Sequence, residues 1–181
     1  IAKQVKYLRS NREKSKSIPF LSTSQIDYLY LYATNGKELN DDGQYLLDLA
    51  REQLDRYPIQ NKPRLAVVMA KFGKDAEAKA LLESLNEYMV ESSEMGKYFD
   101  GKLVQGLSAS QQILMQTSTI EALLQKDVEF SDEIEAMRLW LIQSLRTQLW
   151  QDSPGTADAL HALLLSNHYS HDNVKGLGQK S

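Results

Sequence analysis

The chain has three histidines, and all of them lie in its last quarter. His168 and His171 are three residues apart and Asp172 follows directly, so two imidazoles and a carboxylate could in principle hold a metal ion. No fourth ligand lies nearby in the sequence, and the segment follows the last predicted helix. We therefore predict no metal site there. His161 has apolar neighbours on that last helix, which indicates a histidine of the core or of its rim.

Tyrosine is the second residue type with potential chemistry, because nine are present and three of them lie close together. Tyr28 and Tyr32 are four residues apart and share one helix face, whereas Tyr30 points elsewhere. Tyrosine acts with histidine and asparagine in proton abstraction by α/α-toroid polysaccharide lyases, so such a lyase, or a glycosidase, is an alternative function. Our preferred interpretation is interior packing of the rings.

The remaining chemistry-bearing patterns favour a protein that is not an enzyme. The acidic pairs Asp41–Asp42 and Asp132–Glu133 fall where helices are predicted to begin, and stabilisation of the helix N-terminus explains them. The absence of cysteine excludes disulfides, thiolate metal sites and a cysteine nucleophile. The sequence has no phosphate-binding loop and no nucleophile elbow. We predict no catalytic residue, no cofactor and no metal.

The charge pattern excludes nucleic acid as the main partner, because the net charge is −3 and the sequence pI is about 5.7. The first sixteen residues are nevertheless basic, with one glutamate against six cations: Lys3, Lys6, Arg9, Arg12, Lys14 and Lys16. We interpret this run as a solvated helix face; an anionic partner or a membrane surface is the alternative. No apolar run reaches the ~20 residues that span a bilayer.

The apolar spacing predicts about eight helices with short connections. The first four are expected at residues 3–15, from 22–24 to Gly36, from 40 or 41 to before Pro58, and from Pro63 to Gly73. The fifth is expected from Asp75, with an apolar stripe that reaches Met89, and the sixth at residues 110–126. The seventh is expected to begin at Ser131 and the eighth at Ser153–Pro154. Residues 91–109 are expected to interrupt the helices, and residues 171–181 to form a flexible tail.

The even-numbered helices are apolar on most sides, whereas the odd-numbered helices have a narrow apolar stripe. A helix that is apolar all round must be covered all round, so the alternation predicts two layers of helical hairpins. The even helices start near residues 24, 63, 112 and 155, a spacing of roughly forty residues that suits such a repeat. We predict an all-α fold, a partial α/α toroid over residues 1–170.

Several stretches resemble a known family in their order and spacing. They are residues 116–124 (Gln-Thr-Ser-Thr-Ile-Glu-Ala-Leu-Leu), 134–141 (Ile-Glu-Ala-Met-Arg-Leu-Trp-Leu), 148–153 (Gln-Leu-Trp-Gln-Asp-Ser) and 156–164 (Thr-Ala-Asp-Ala-Leu-His-Ala-Leu-Leu), with residues 24–30 and 94–99 as further counterparts. Together they resemble the closing part of the thioester-type helical domain of bacterial alpha-2-macroglobulins, and are most similar to the large macroglobulin-like proteins of Bacteroidetes. The resemblance covers most of residues 20–170.

This resemblance implies a non-catalytic α/α-toroid domain in a larger, membrane-anchored protein of the periplasm or cell envelope that entraps proteinases. The family's reactive thioester needs a cysteine, and its Cys-Gly-Glu-Gln-like motif precedes the matched region, so the thioester status of the parent stays open. A histidine that activates the bond would fall before about residue 25, where none is present. We expect the chain, which opens at Ile1, to be part of a longer polypeptide.

Four side chains are expected to be structural, either in the core or at an interaction surface: Trp140, Trp150, Thr156 and His161. The expected partners are neighbouring domains of the same polypeptide and proteinases. A partial toroid would also expose an apolar edge at the first helix, which would favour a homodimer. A helical-repeat adaptor with a concave groove is the other alternative function.

Overall fold

The computed structural model describes residues 1–15, 17–125 and 131–148, and the side chains of residues 131, 147 and 148 are not described. The described residues are mostly helical, so the predicted all-α class is confirmed. The elements are α1 (Ala2–Ser15), α2 (Thr23–Thr34), α3 (Asp41–Arg51), α4 (Lys62–Lys71), α5 (Asp75–Leu85), β1 (Met89–Ser92), β2 (Gly96–Phe99), α6 (Ala109–Leu124) and α7 (Ser131–Gln148), with short 3-10 helices at Leu54–Arg56 and Asn86–Tyr88. None of the described helices is long and apolar enough to cross a membrane.

The chain divides into two compact units, Ile1–Ser84 and a second unit that begins at Leu85. In the first unit, α2 packs against α3 and α4, and α1 packs against α3. Its core contains leucines of α2, α3 and α4 that are almost fully buried, among them Leu29, Leu46 and Leu65. The first unit is therefore a small helical bundle.

In the second unit, β1 and β2 form an antiparallel hairpin that pairs Met89 with Phe99 and Ser92 with Gly96. Strand β2 packs against both α6 and α7, which also pack against each other. Phe99 of β2 and Met137 of α7 are fully buried. The hairpin is therefore part of the core of this unit.

Side-chain caps fix where the best-defined helices begin. Ser22 accepts a hydrogen bond from the backbone N–H of Gln25, and the Gln25 side chain accepts one from the Ser22 N–H, which is a capping box. Ser108 and Gln111 repeat this arrangement before α6. Asn40 caps α3 through the Gly43 N–H. The second helix was expected to start at residues 22–24 and the third at residue 40 or 41, and both starts are confirmed.

The predicted alternation of helix burial is confirmed for α4 and α6 and wrong for α2. Residues 65–69 of α4 have essentially no exposed surface, and α6 is buried along most of its length. In α2, however, Leu31 is 57% exposed. The apolar composition of α2 therefore did not indicate burial on every side, since one large apolar side chain faces outward.

Two further differences lie between residues 85 and 109. Met89, which we expected on the apolar stripe of the fifth helix, belongs to β1. The expected interruption at residues 91–109 contains the rest of the hairpin. The eighth predicted helix and the tail at residues 171–181 lie outside the described residues.

Candidate functional site

A groove of about 450 Å³ lies on the surface of the first unit. Helix α1 forms one wall, and the segment that leads into α2 forms the other. The side chains that line the groove include Lys3, Gln4, Tyr7 and Leu8 from α1, and Phe20 and Leu21 from the opposite wall. The lining is mostly apolar, so the groove suits apolar side chains of a ligand better than a small charged molecule.

The wall opposite α1 is held in place by Tyr57. The backbone N–H of Leu21 donates to the Tyr57 hydroxyl over 3.0 Å, and the Phe20 ring meets the Tyr57 ring edge to face, with 4.9 Å between centroids. Burial raises the pKa of Tyr57, while the bond from Leu21 opposes that shift. The hydroxyl therefore stays protonated at neutral pH and can serve as a fixed acceptor.

The rim of the groove combines exposed aromatic rings with cations. Tyr7 is 66% exposed and Phe20 is 43% exposed. Lys3 lies on the α1 wall, and the Arg56 guanidinium lies 5.9 Å from the centroid of the Phe20 ring. Neither cation makes an ion pair with the residues that the structure describes. One such cation, Lys3, therefore lines the groove, and a second, Arg56, lies beside a ring that lines it.

The structure divides the basic residues of α1 into cations that attach the helix to the bundle and cations that do not. Arg9 lies over the Tyr45 ring at 4.1 Å from its centroid. Arg12 makes two hydrogen bonds to the Glu52 carboxylate, of 2.7 and 2.8 Å, and this pairing raises the pKa of Arg12. These two arginines attach α1 to the rest of the bundle, which explains their positive charges. Lys3 makes no such attachment among the described residues.

The tyrosine cluster of α2 is explained by packing. The rings of Tyr28 and Tyr32 contact each other, with 4.5 Å between centroids. Burial, and after it the hydrogen bond with Tyr32, raise the pKa of Tyr28 to about 12. Tyr30 lies under the Arg64 guanidinium at 4.1 Å. Because Tyr28 stays protonated at neutral pH, it is a poor general base.

Of the four side chains expected to be structural, the structure describes only Trp140. Its ring is 6% exposed and stacks on Tyr98 of β2, with centroids 5.9 Å apart and planes inclined by 15°. Trp140 thus joins α7 to the hairpin within the second unit. Trp150, Thr156 and His161 lie outside the described residues, as do His168 and His171.

Two glutamines of α6 hold the hairpin in a way that we did not predict. Gln112 donates to the carbonyl oxygen of Phe99 over 2.6 Å, and Gln116, one turn later, donates to that of Lys97 over 2.7 Å. Gln116 also donates to the Met137 carbonyl of α7 over 3.2 Å. The four-residue spacing of the glutamines matches alternate carbonyls of a strand, and this was the available sequence signal.

An ion pair also joins β2 to α7. The Lys97 ammonium contacts the Glu133 carboxylate of α7 and donates to the Asn86 side chain over 3.0 Å. Within the described part of the chain, no group of three histidine, aspartate or glutamate side chains is arranged to hold a metal ion. Lys97, Gln112 and Gln116 are therefore engaged in holding the hairpin.

No family model, curated protein or solved structure matches this chain.

Proposed function

We propose that this chain is a non-catalytic helical domain of a bacterial alpha-2-macroglobulin-like protein of the periplasm or cell envelope. In this proposal it binds neighbouring segments of its own polypeptide, and so contributes to a protein that entraps proteinases. The resemblance over residues 20–170 is the reason for the family, and the groove on the first unit is the observation that carries the binding role.

The groove supports a binding role because one of its two exposed rings, that of Tyr7, packs on no other ring or cation among the described residues. Tyr7 is 66% exposed, and its ring makes none of the aromatic or cation–π contacts found among the described residues. A large exposed aromatic side chain beside an apolar groove is typical of an interface, where tyrosine is enriched. The cation Lys3 beside it adds a polar contact that could orient a bound segment.

In the second unit, three of the stretches that carry the resemblance belong to one core. Residues 94–99 and 134–141, two of the stretches that carry the resemblance, are brought together by the stacked pair of Tyr98 and Trp140. Residues 116–124 join them through Gln116.

The entrapment part of the proposal is tested with the longer polypeptide whose coding sequence includes this chain. A trapped proteinase should lose access to a large protein substrate and keep its activity toward a small chromogenic peptide, because entrapment blocks access by size alone. We expect this divergence when proteinase and polypeptide are mixed. The matched control is the same polypeptide after heat unfolding, which should protect neither substrate.

Three results would contradict the proposal. Equal residual activity toward both substrates would exclude entrapment. A coding sequence without β-rich domains or further helical hairpins around this chain would exclude the family. A rise in the melting temperature with an acidic polysaccharide would instead favour the toroid lyase or glycosidase, because a ligand that binds only the folded state stabilises it.

A further inference from the structure

We propose that the groove between α1 and residues 18–22 binds an extended peptide segment that carries a large apolar side chain flanked by carboxylates. The inference rests on the binding role proposed above and names the chemistry of the segment. It depends on three observations: the apolar lining of the groove, the cations Lys3 in the groove and Arg56 beside Phe20, unpaired among the described residues, and the burial of the branched aliphatic residues of α1 against the bundle.

The apolar lining selects the central side chain of the ligand. Leu8 and Leu21 form a floor that is almost fully buried, with exposed fractions of 7% and 5%, and the Tyr7 and Phe20 rings rise on either side. A volume of about 450 Å³ falls at the lower end of the ~300–1,000 Å³ that ligand pockets occupy. The groove thus holds a few side chains of a peptide, with an aromatic or branched aliphatic side chain between the two rings.

The cations near the groove favour carboxylates beside the apolar side chain of the bound peptide. Lys3 lines the groove and Arg56 lies beside the Phe20 ring; neither has a carboxylate partner among the described residues, and both are exposed. Helix α2 begins at the groove beside Ser22 and has no acidic residue in its first turn. A carboxylate bound there meets a cation and the positive end of the helix dipole together. An acidic peptide therefore complements the groove better than a neutral or basic one.

The arrangement of α1 disfavours a membrane as the occupant. A membrane-binding helix turns a continuous apolar face outward, with several cations beside it. In α1, Val5 and Leu8 face the bundle and are 1% and 7% exposed. Arg9 and Arg12 are engaged with Tyr45 and Glu52. The exposed positions of α1 combine one aromatic ring, Tyr7, with polar and charged residues that include Glu13, so the helix presents no continuous apolar face to a lipid surface.

The experiment is selection of a random peptide library, displayed on phage, against the full 181-residue chain. We expect the enriched peptides to share an aromatic or branched aliphatic residue with aspartate or glutamate on both sides. Peptides of that pattern are then synthesised with a fluorophore, beside a control in which amides replace the carboxylates. Their affinities for the chain and its variants are measured by fluorescence polarisation.

Matched variants locate the binding site. Tyr7→Ser should weaken binding by about tenfold or more, the effect of removing an aromatic anchor from an interface. Leu31→Ser removes a similarly exposed apolar side chain of the same unit outside the groove, and should leave the affinity unchanged. Lys3→Gln and Arg56→Gln should each weaken binding roughly two- to fivefold at low salt, whereas Lys71→Gln, an exposed lysine of α4, should not.

The proposal is overturned if the selected peptides show no acidic enrichment, or if Tyr7→Ser binds them as wild type does while circular dichroism shows it folded. It is also overturned if Tyr7→Ser abolishes binding to vesicles of phosphatidylserine and phosphatidylcholine, or abolishes a concentration-dependent dimer, since either result assigns the groove to another occupant. Peptide binding without entrapment by the longer polypeptide would contradict the proposed function alone, and entrapment without peptide binding would contradict this inference alone.

Discussion

Gly96 at the start of β2 lies against the carbonyl group of Ala136 in α7 so closely that no side chain fits between them. A Cβ atom on Gly96 would overlap the Ala136 oxygen and lie 3.0 Å from its carbonyl carbon. Gly96 also has a φ of 75°, a left-handed conformation that glycine adopts far more readily than other residues. Two independent requirements, backbone conformation and close approach, therefore fall on one glycine.

Gly96→Ala should lower the free energy of unfolding by more than about 2 kcal/mol, because the overlap adds to a left-handed penalty of about 1–2 kcal/mol. Gly106→Ala is the matched control: its φ is 73°, but open space surrounds it, so only the conformational penalty applies. Urea denaturation of both variants gives the comparison. Equal losses would contradict a close contact between the hairpin and α7.

Gln116→Met should lower the free energy of unfolding by about 1–3 kcal/mol, because it removes the side-chain donor to the part-buried Lys97 carbonyl and to the buried Met137 carbonyl. Gln125→Met is the matched control, since Gln125 is exposed and its side chain donates to the Glu121 carbonyl of the preceding helix, not to the hairpin. Hydrogen exchange of the hairpin amides provides a second measurement. We expect faster exchange in residues 96–99 of Gln116→Met, and unchanged exchange there would count against the role of Gln116 in holding β2.

The helices could be predicted because their signals are local. The capping residues Ser22 and Asn40 precede apolar residues at helical spacing, and Gly36 has the positive φ of 62° that suits the residue after a helix. The hairpin could not be predicted in this way. Its strands have four residues each, and they depend on Gln112 and Gln116, which lie 13 and 19 residues away from their acceptors.

The groove shows the same limit. The basic run of α1 is visible in the sequence, but which of its cations are free depends on contacts with distant residues. Arg12 reaches Glu52, 40 residues away, and Arg9 covers Tyr45. The sequence also did not indicate that Phe20 would come beside Tyr7, because the wall that carries Phe20 is held by Tyr57 through the Leu21 N–H, 36 residues apart. The local sequence pattern identifies candidate binding residues, and tertiary contacts determine which of them remain available to a ligand.

Trp140→Ala should lower the free energy of unfolding by about 3–5 kcal/mol, the usual loss when a buried aromatic side chain is removed. Trp140→Phe keeps a ring over Tyr98 and should recover a large part of that loss. Ile142→Ala is the control on the same helix, because Ile142 is 41% exposed, and it should change stability by less than about 1 kcal/mol. A loss for Trp140→Ala no greater than for Ile142→Ala would contradict the structural role expected for this tryptophan.

Tyr57→Phe should lower the free energy of unfolding by about 1–2 kcal/mol, because the Leu21 N–H then loses its acceptor in a buried place. The Phe20 wall of the groove should become more mobile in the same variant, which nuclear magnetic resonance relaxation of residues 18–22 can measure. Tyr7→Phe removes an exposed hydroxyl and serves as the control, with no expected change in either quantity. A stable Tyr57→Phe variant with an unchanged wall would show that ring packing alone holds Phe20.

Stability at alkaline pH depends on Tyr28, because partial burial raises its pKa to about 12, against an ordinary value of 10.0. Below the ordinary value, the hydroxyl is protonated in both the folded and the unfolded chain, and the contribution of Tyr28 to stability is fully present. Between about pH 10 and about pH 12 the unfolded chain loses this proton while the folded chain keeps it, so the free energy of unfolding falls as pH rises.

Urea denaturation across that interval should therefore show a smaller fall for Tyr28→Phe than for the wild type, since the variant has no hydroxyl to lose at this position. Tyr7→Phe also removes one tyrosine hydroxyl, from an exposed ring, and is the control for the loss of a titrating group as such. If Tyr28→Phe and the wild type lose stability in parallel, the pKa of Tyr28 is the same in the folded and the unfolded chain, and its hydroxyl is not buried against Tyr32. The packing explanation of this tyrosine cluster would then be wrong.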